Sequence, residues 1–156
     1  MVIAVGDQDG QSIITATDSN NNILTHVERL DELYDQGLHF EASVSQMAVV
    51  EALLLFYLKA KVQADGATVS DDIEKLRKNK RLTFGKVKDI VLNNKLIDEE
   101  SIQTKLKSYV GYRNDLAHNL IASFSSVDLE TFYKVGKELI EFFHIYLLSI
   151  IKRQKG

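Results

Sequence analysis

None of the 156 residues is proline, and nothing else in the chain constrains its fold as strongly. Proline stops helices and stiffens turns, so a chain without it is free to run in long unbroken helices. The apolar spacing agrees. Thr25 and Glu28 form a capping-box pattern, and Val27, Leu30, Leu33 and Tyr34 recur at helical intervals until Gly37. A long central helix is expected over Phe40 to Gln63, with Val44, Met47, Ala48, Leu54, Leu55, Leu58 and Val62 as its stripe. A short helix is expected from Ser70 to about Lys78, and Thr83 caps another that carries Val87, Ile90 and Val91 and ends near Asn93 and Asn94. Asp98, Glu99 and Glu100 favour the next helix start, whose stripe of Ile102, Leu106, Tyr109 and Val110 runs into Arg113. Ser125, Ser126 and Asp128 open a last helix through Ile151, with Lys152, Arg153 and Lys155 beside its negative end. The reading is an all-α domain.

Residues 1 to 24 differ. Val2, Ile3, Val5, Ile13 and Ile14 are β-formers around a turn from Gly6 to Gly10, followed by a polar Asp18 to Asn22 loop. A short β-hairpin is expected there, as an N-terminal extension ahead of a helical domain over 25–156. Asp7, Asp9 and Gly10 do not make a calcium loop, because the glycine comes too early and no glutamate closes it.

A chain of this length forms one domain and buries about two-thirds of the surface its unfolded form exposes. Zero cysteines exclude a disulfide framework, a thiolate zinc site and a cysteine nucleophile, which fits a reducing, cytoplasmic setting. No leader is visible, since the apolar run Val2 to Val5 stops at Gly6 and Asp7 without a basic region. The longest apolar run, Leu139 to Ile151, is interrupted by Glu141 and His144 and is read as a buried helix, so no membrane partner is expected. The net charge of −3 argues against a general polyanion binder, but its distribution is uneven. Lys75, Arg77, Lys78, Lys80, Arg81, Lys86 and Lys88 lie in one window without an acid, whereas Glu28, Asp31, Glu32 and Asp35 make another segment acidic. Such a basic run is either a solvated helical face or a contact surface for a phosphate backbone.

The stretch Tyr112 to Asn119 carries the chemistry. It sets Arg113, Asn114 and His118 close together near a helix end. Arginine presents a fixed positive fork to phosphate oxygens, and the imidazole is the side chain that ordinarily gives and takes protons near neutrality. On an unbroken helix Asn114 and His118 share a face, while Arg113 and His118 diverge by about 140°. The arginine must therefore reach around, or the helix must break after Gly111. The competing structural reading pairs Arg113 with Asp115 or Glu51 and packs His118 as a half-buried residue. Glu51 itself, among Val49, Val50, Ala52 and Leu53, either points to solvent or faces a site inside the bundle. His26, His39 and His144 have no spacing partners for a metal site, and no phosphate loop, nucleophile elbow or zinc-helix motif is present. No metal or cofactor is expected.

Arg113-Asn114-Asp115-Leu116-Ala117-His118 resembles the Arg-x4-6-His signature of the HEPN superfamily, in which asparagine commonly follows the arginine. Leu82 to Lys86 and Leu106 resemble the segment leading to it, and the likeness covers about residues 38 to 152. The resemblance implies a bundle of four or five main helices, usually dimeric, with the motifs of two protomers facing one cleft. Many members are metal-independent endoribonucleases, among them toxins of toxin–antitoxin and phage-defence systems. The resemblance then implies that Arg113 stabilises the scissile phosphate, His118 acts as general acid or base and Asn114 holds the geometry. Glu51 would support them, the basic window would contact RNA, and an antitoxin or regulatory protein would be a partner. A tyrosine follows the histidine in many of the toxins, whereas here Asn119, Leu120 and Ile121 follow. Other members are non-catalytic, and the alternative expectation is a module that binds RNA, nucleotide or protein through the same surfaces.

Overall fold

The computed structural model describes residues 2–5, 12–67, 83–119 and 128–155. Five helices carry most of them: α1 Ala16–Asp35, α2 His39–Gln63, α3 Phe84–Asn93, α4 Glu100–Asn119 and α5 Leu129–Lys155. Val2–Val5 (β1) lies antiparallel to Ser12–Thr15 (β2), with Ile3 opposite Ile14. The Gly6 to Gly10 turn that would join them into the expected hairpin falls outside the described residues, as does the helix expected over 70–78.

The helices pack as a bundle around a parallel central pair. Gln46 and Tyr57 of α2 reach Tyr133 and Phe143 of α5 in the same order along both helices, so α2 and α5 run the same way. On one side α1 runs against them, fixed by Asn20 to His144 and by Asp31 to Tyr133. On the other, α4 runs antiparallel to α5, with Lys105 bridging to Glu138 at 3.1 Å and Tyr109 stacked on Phe132 at 4.5 Å. α3 wedges between α2 and α4. The core between these layers includes Leu54, Val91, Leu106, Tyr109, Phe132, Leu139 and Leu147, all fully buried. Each such side chain contributes roughly 1.5–3 kcal/mol through the apolar surface it removes from water.

Caps set several boundaries where the residues predict them. Thr83 is the N-cap of α3, its hydroxyl accepting from the Lys86 N–H at 3.3 Å. Asp128 accepts from the Thr131 N–H at 3.1 Å and closes the first turn of α5. Gly37, at φ 82°, ends α1 in a Schellman motif, with Leu38 N–H donating to Leu33 and Gly37 N–H to Tyr34.

Two expectations give way. The Asp18 to Asn22 stretch is helix and not loop, so α1 starts well before Thr25 and crosses the expected boundary at residue 24. Thr25 is mid-helix, and its hydroxyl bonds back to the Asn21 carbonyl at 3.0 Å instead of capping. The anchor is tertiary: Asn20 holds His144, and Ile23 is buried in the core. Along α2 the expected stripe holds at Leu54 and Leu58, which are buried, and fails near the start of the helix. Val44 and Ala48 face outward, while Ala42, Ser43, Gln46, Val50 and Leu53 are buried. By length and composition α2 alone among the described helices could cross a membrane, and half of its apolar window is buried inside the bundle.

Candidate functional site

α4 stays helical through Asn119, so Arg113, Asn114 and His118 lie on its last two turns with no break at Gly111. Their setting follows from the face of α4 that packs inward. Tyr109 and Leu116 are buried, and Tyr112 is half-buried with its ring edge-on to Phe132 at 6.1 Å. At 100° per residue, His118 projects about 180° from Tyr109 and Arg113 about 40° from it. The burial matches: Arg113 is half-buried at the edge of the core face, and Asn114 and His118 are exposed.

Arg113 is tied to its neighbour on the helix. Its Nη1 donates to Asn114 Oδ1 at 3.3 Å. Asn114 lies between Arg113 and His118 in angle, about 40° short of the histidine, so the bond draws the guanidinium toward the imidazole side of the helix. Among the described residues Arg113 makes no ion pair with Asp115 or Glu51. The guanidinium is positioned by a neutral amide, which leaves its charge available to an anion. The described residues do not place a second wall opposite His118.

Glu51 is half-buried on α2. The Gln46–Tyr109 and Tyr57–Leu96 hydrogen bonds show that α2 and α4 run antiparallel. Glu51 is five residues beyond Gln46 in one direction, and Arg113 is four beyond Tyr109 in the other, a separation of about 13 Å along the bundle axis. Glu51 and the motif of the same protomer are therefore not brought together. Of the basic window, Lys75, Arg77, Lys78, Lys80 and Arg81 lie outside the described residues. Lys86 is exposed on α3, and Lys88 pairs with Asp89 at 3.0 Å. No group of three or more His, Asp or Glu side chains among the described residues could hold a metal ion.

The residues that hold the motif in place are ones the pattern of the sequence does not reveal. Gln46 is fully buried, donates from Nε2 to the Tyr133 carbonyl at 2.8 Å and accepts from the Tyr109 hydroxyl at 3.1 Å. One amide thus ties α2 to α5 and to α4, one turn before Arg113. Burial drives the Tyr109 hydroxyl far above its ordinary pKa, so it stays a donor. Gly136 makes room, because a Cβ there would overlap the Gln46 amide. At the same end of the bundle, His39, Tyr34 and Tyr133 form a three-ring stack with successive centroids 4.2 Å apart. The only sequence signal for the node is a glutamine and a glycine on otherwise apolar helix faces, which does not say that they meet.

Comparison with protein-family models, curated proteins and solved structures finds no match to this chain.

Proposed function

We propose that the chain is a metal-independent endoribonuclease of HEPN type, acting as a homodimer whose two Arg113–Asn114–His118 motifs line one cleft. The observation that carries this reading is the Arg113–Asn114 hydrogen bond at 3.3 Å on an unbroken helix whose outer face bears His118. It ties the guanidinium to the amide that lies between it and His118 in angle around the helix, which supports the reading. In the proposed reaction one His118 takes the proton of a ribose 2′-hydroxyl, and the 2′-oxygen attacks the adjacent phosphorus. The P–O5′ bond breaks, and the partner's His118 returns a proton to the departing 5′-oxygen, leaving a 2′,3′-cyclic phosphate. Arg113 stabilises the charge that builds on the non-bridging oxygens. Each chain supplies one motif histidine for a reaction that uses both an acid and a base. The outward direction of His118, opposite the core face of its own helix, suits a cleft completed by a second copy. A cytoplasmic setting and restraint by an antitoxin or other regulatory protein belong to the same proposal.

The experiment is cleavage of single-stranded RNA in EDTA by wild type, His118→Ala and Arg113→Ala. General acid–base help is worth roughly 10²- to 10⁴-fold, so His118→Ala should lose at least that, with Arg113→Ala losing as much or more. Cleavage undiminished in His118→Ala rejects the reading. The separation of Arg113 and His118 around the helix favours a second reading, a non-catalytic HEPN-like module that binds RNA, nucleotide or protein. That reading requires wild type to bind RNA or a partner without turnover.

A further inference from the structure

A second concave surface lies toward the opposite end of the bundle, between the start of α4 and the outer side of α5. It is a groove of about 620 Å³. Its floor is apolar and aromatic, with Tyr57, Ile102 and Phe142. One rim is Asp98 and Glu99, and the other is the α5 face bearing Glu141 and Ile145. Ile145 is 59% exposed, and Leu148 one turn on is 43% exposed, so the apolar strip continues past the groove.

The charges decide what fits. Both lysines of the lining are spoken for: Lys105 pairs with Glu138 at 3.1 Å, and Lys61 with Asp65 at 3.6 Å while it also lies 5.0 Å over the Tyr146 ring. Asp98, Glu99 and Glu141 have no ion-pair partner among the described residues. Burial, then the charges of Asp98, Asp65 and Glu99, push the Tyr57 hydroxyl well above its ordinary pKa. Among the described residues the open charge of the groove is therefore negative on both rims over an apolar floor.

We infer that this groove docks a basic amphipathic helix of a partner protein, its apolar face on Phe142, Ile145 and Leu148 and its lysines or arginines on Asp98, Glu99 and Glu141. Helix-in-groove recognition joins an apolar stripe to flanking charges in this way, and the charged rims set specificity and encounter rate. The site does not depend on the nuclease reading, because it lies on a different part of the bundle and shares no residue with the motif.

The test uses a Leu/Lys amphipathic peptide of about 18 residues, five helical turns, and its Leu/Glu counterpart, with binding followed by fluorescence anisotropy on the full chain. The Leu/Lys peptide should bind and the Leu/Glu peptide should not. The pair Asp98→Lys with Glu141→Lys, and separately Ile145→Ser, should each weaken binding by roughly ten-fold. All three positions are exposed, so the fold is retained. Glu28→Lys with Glu32→Lys on α1 changes net charge equally outside the groove and should leave affinity within about two-fold. Equal weakening by both charge-reversal pairs would reduce the attraction to net charge and overturn the proposal. Failure of the Leu/Lys peptide to bind would overturn it too. So would sedimentation showing that Ile145→Ser converts a dimer to a monomer, since the groove would then be filled by a second copy.

Discussion

Lys95 occupies a position that ordinarily goes to glycine. Its φ is 52°, and it ends α3 in a Schellman motif, with Leu96 N–H donating to Val91 and Lys95 N–H to Leu92. A side chain in the left-handed region costs about 1–2 kcal/mol, of which glycine's greater freedom in the unfolded chain takes back part. Lys95→Gly is expected to stabilise the protein by about 1 kcal/mol, a rise of roughly 2–4 °C in thermal midpoint for a chain of this size. A midpoint that is unchanged or lower would show that the turn holds Lys95 without strain. Gln46 is the opposite case, a polar residue in an apolar helix that the core cannot spare. Gln46→Leu leaves the buried Tyr109 hydroxyl without its partner, while the Tyr133 carbonyl keeps its place in the α5 backbone ladder, at a cost of about 1–3 kcal/mol by denaturant titration. Gly136→Ala should cost about 1–3 kcal/mol through overlap with the same amide. In a Gln46→Ala background that second cost should largely vanish, and additive costs would mean that the two residues do not meet.

At the scale of elements, the C-terminal end of α2 is tied to α5 through Asp65. Its carboxylate accepts from Tyr146 Oη and Arg153 Nη1, both at 2.7 Å. Partial burial pushes the carboxyl up, but the hydrogen bonds from Arg153 and Tyr146 and the charges of Arg153 and Lys61 outweigh it, so it lies below the usual carboxylate value of 3.8. A depressed folded pKa means that the stabilisation is present above the unfolded value and is lost as pH falls through the folded one. The midpoint difference between wild type and Asp65→Asn should therefore be steady at neutral pH and shrink only below about pH 4. A difference that shrinks between pH 7 and 5 would assign the effect to another group. These elements were legible in the residues to different degrees, for physical reasons. The starts of α3 and α5 were readable because Thr83 and Asp128 cap locally. The start of α1 was not, because Asp, Ser and Asn side chains compete for the backbone in isolation, and only Asn20 on His144 and Ile23 in the core hold them helical. The motif was readable as a string of residue types. That α4 would pass Gly111 unbroken was not, since glycine costs a helix only about 1 kcal/mol and packing of Tyr109 and Leu116 outweighs it.

At the scale of the whole molecule, the bundle presents two unlike surfaces: the outer face of α4 with Asn114 and His118 exposed, and an acid-rimmed groove toward the other end. The proposed cleft needs two chains. If both histidines of a dimer act in one cleavage, co-refolding wild type with increasing His118→Ala should lower activity as the square of the wild-type fraction, and a linear decline would mean that each protomer works alone. The chemistry proposed for Arg113 and His118 is reported most directly by its products. Purified wild-type protein should cleave a single-stranded RNA in EDTA, and mass spectrometry of the fragments should show 2′,3′-cyclic phosphate opposite 5′-hydroxyl ends. Intact RNA, or fragments ending in 5′-phosphate and 3′-hydroxyl, would contradict it.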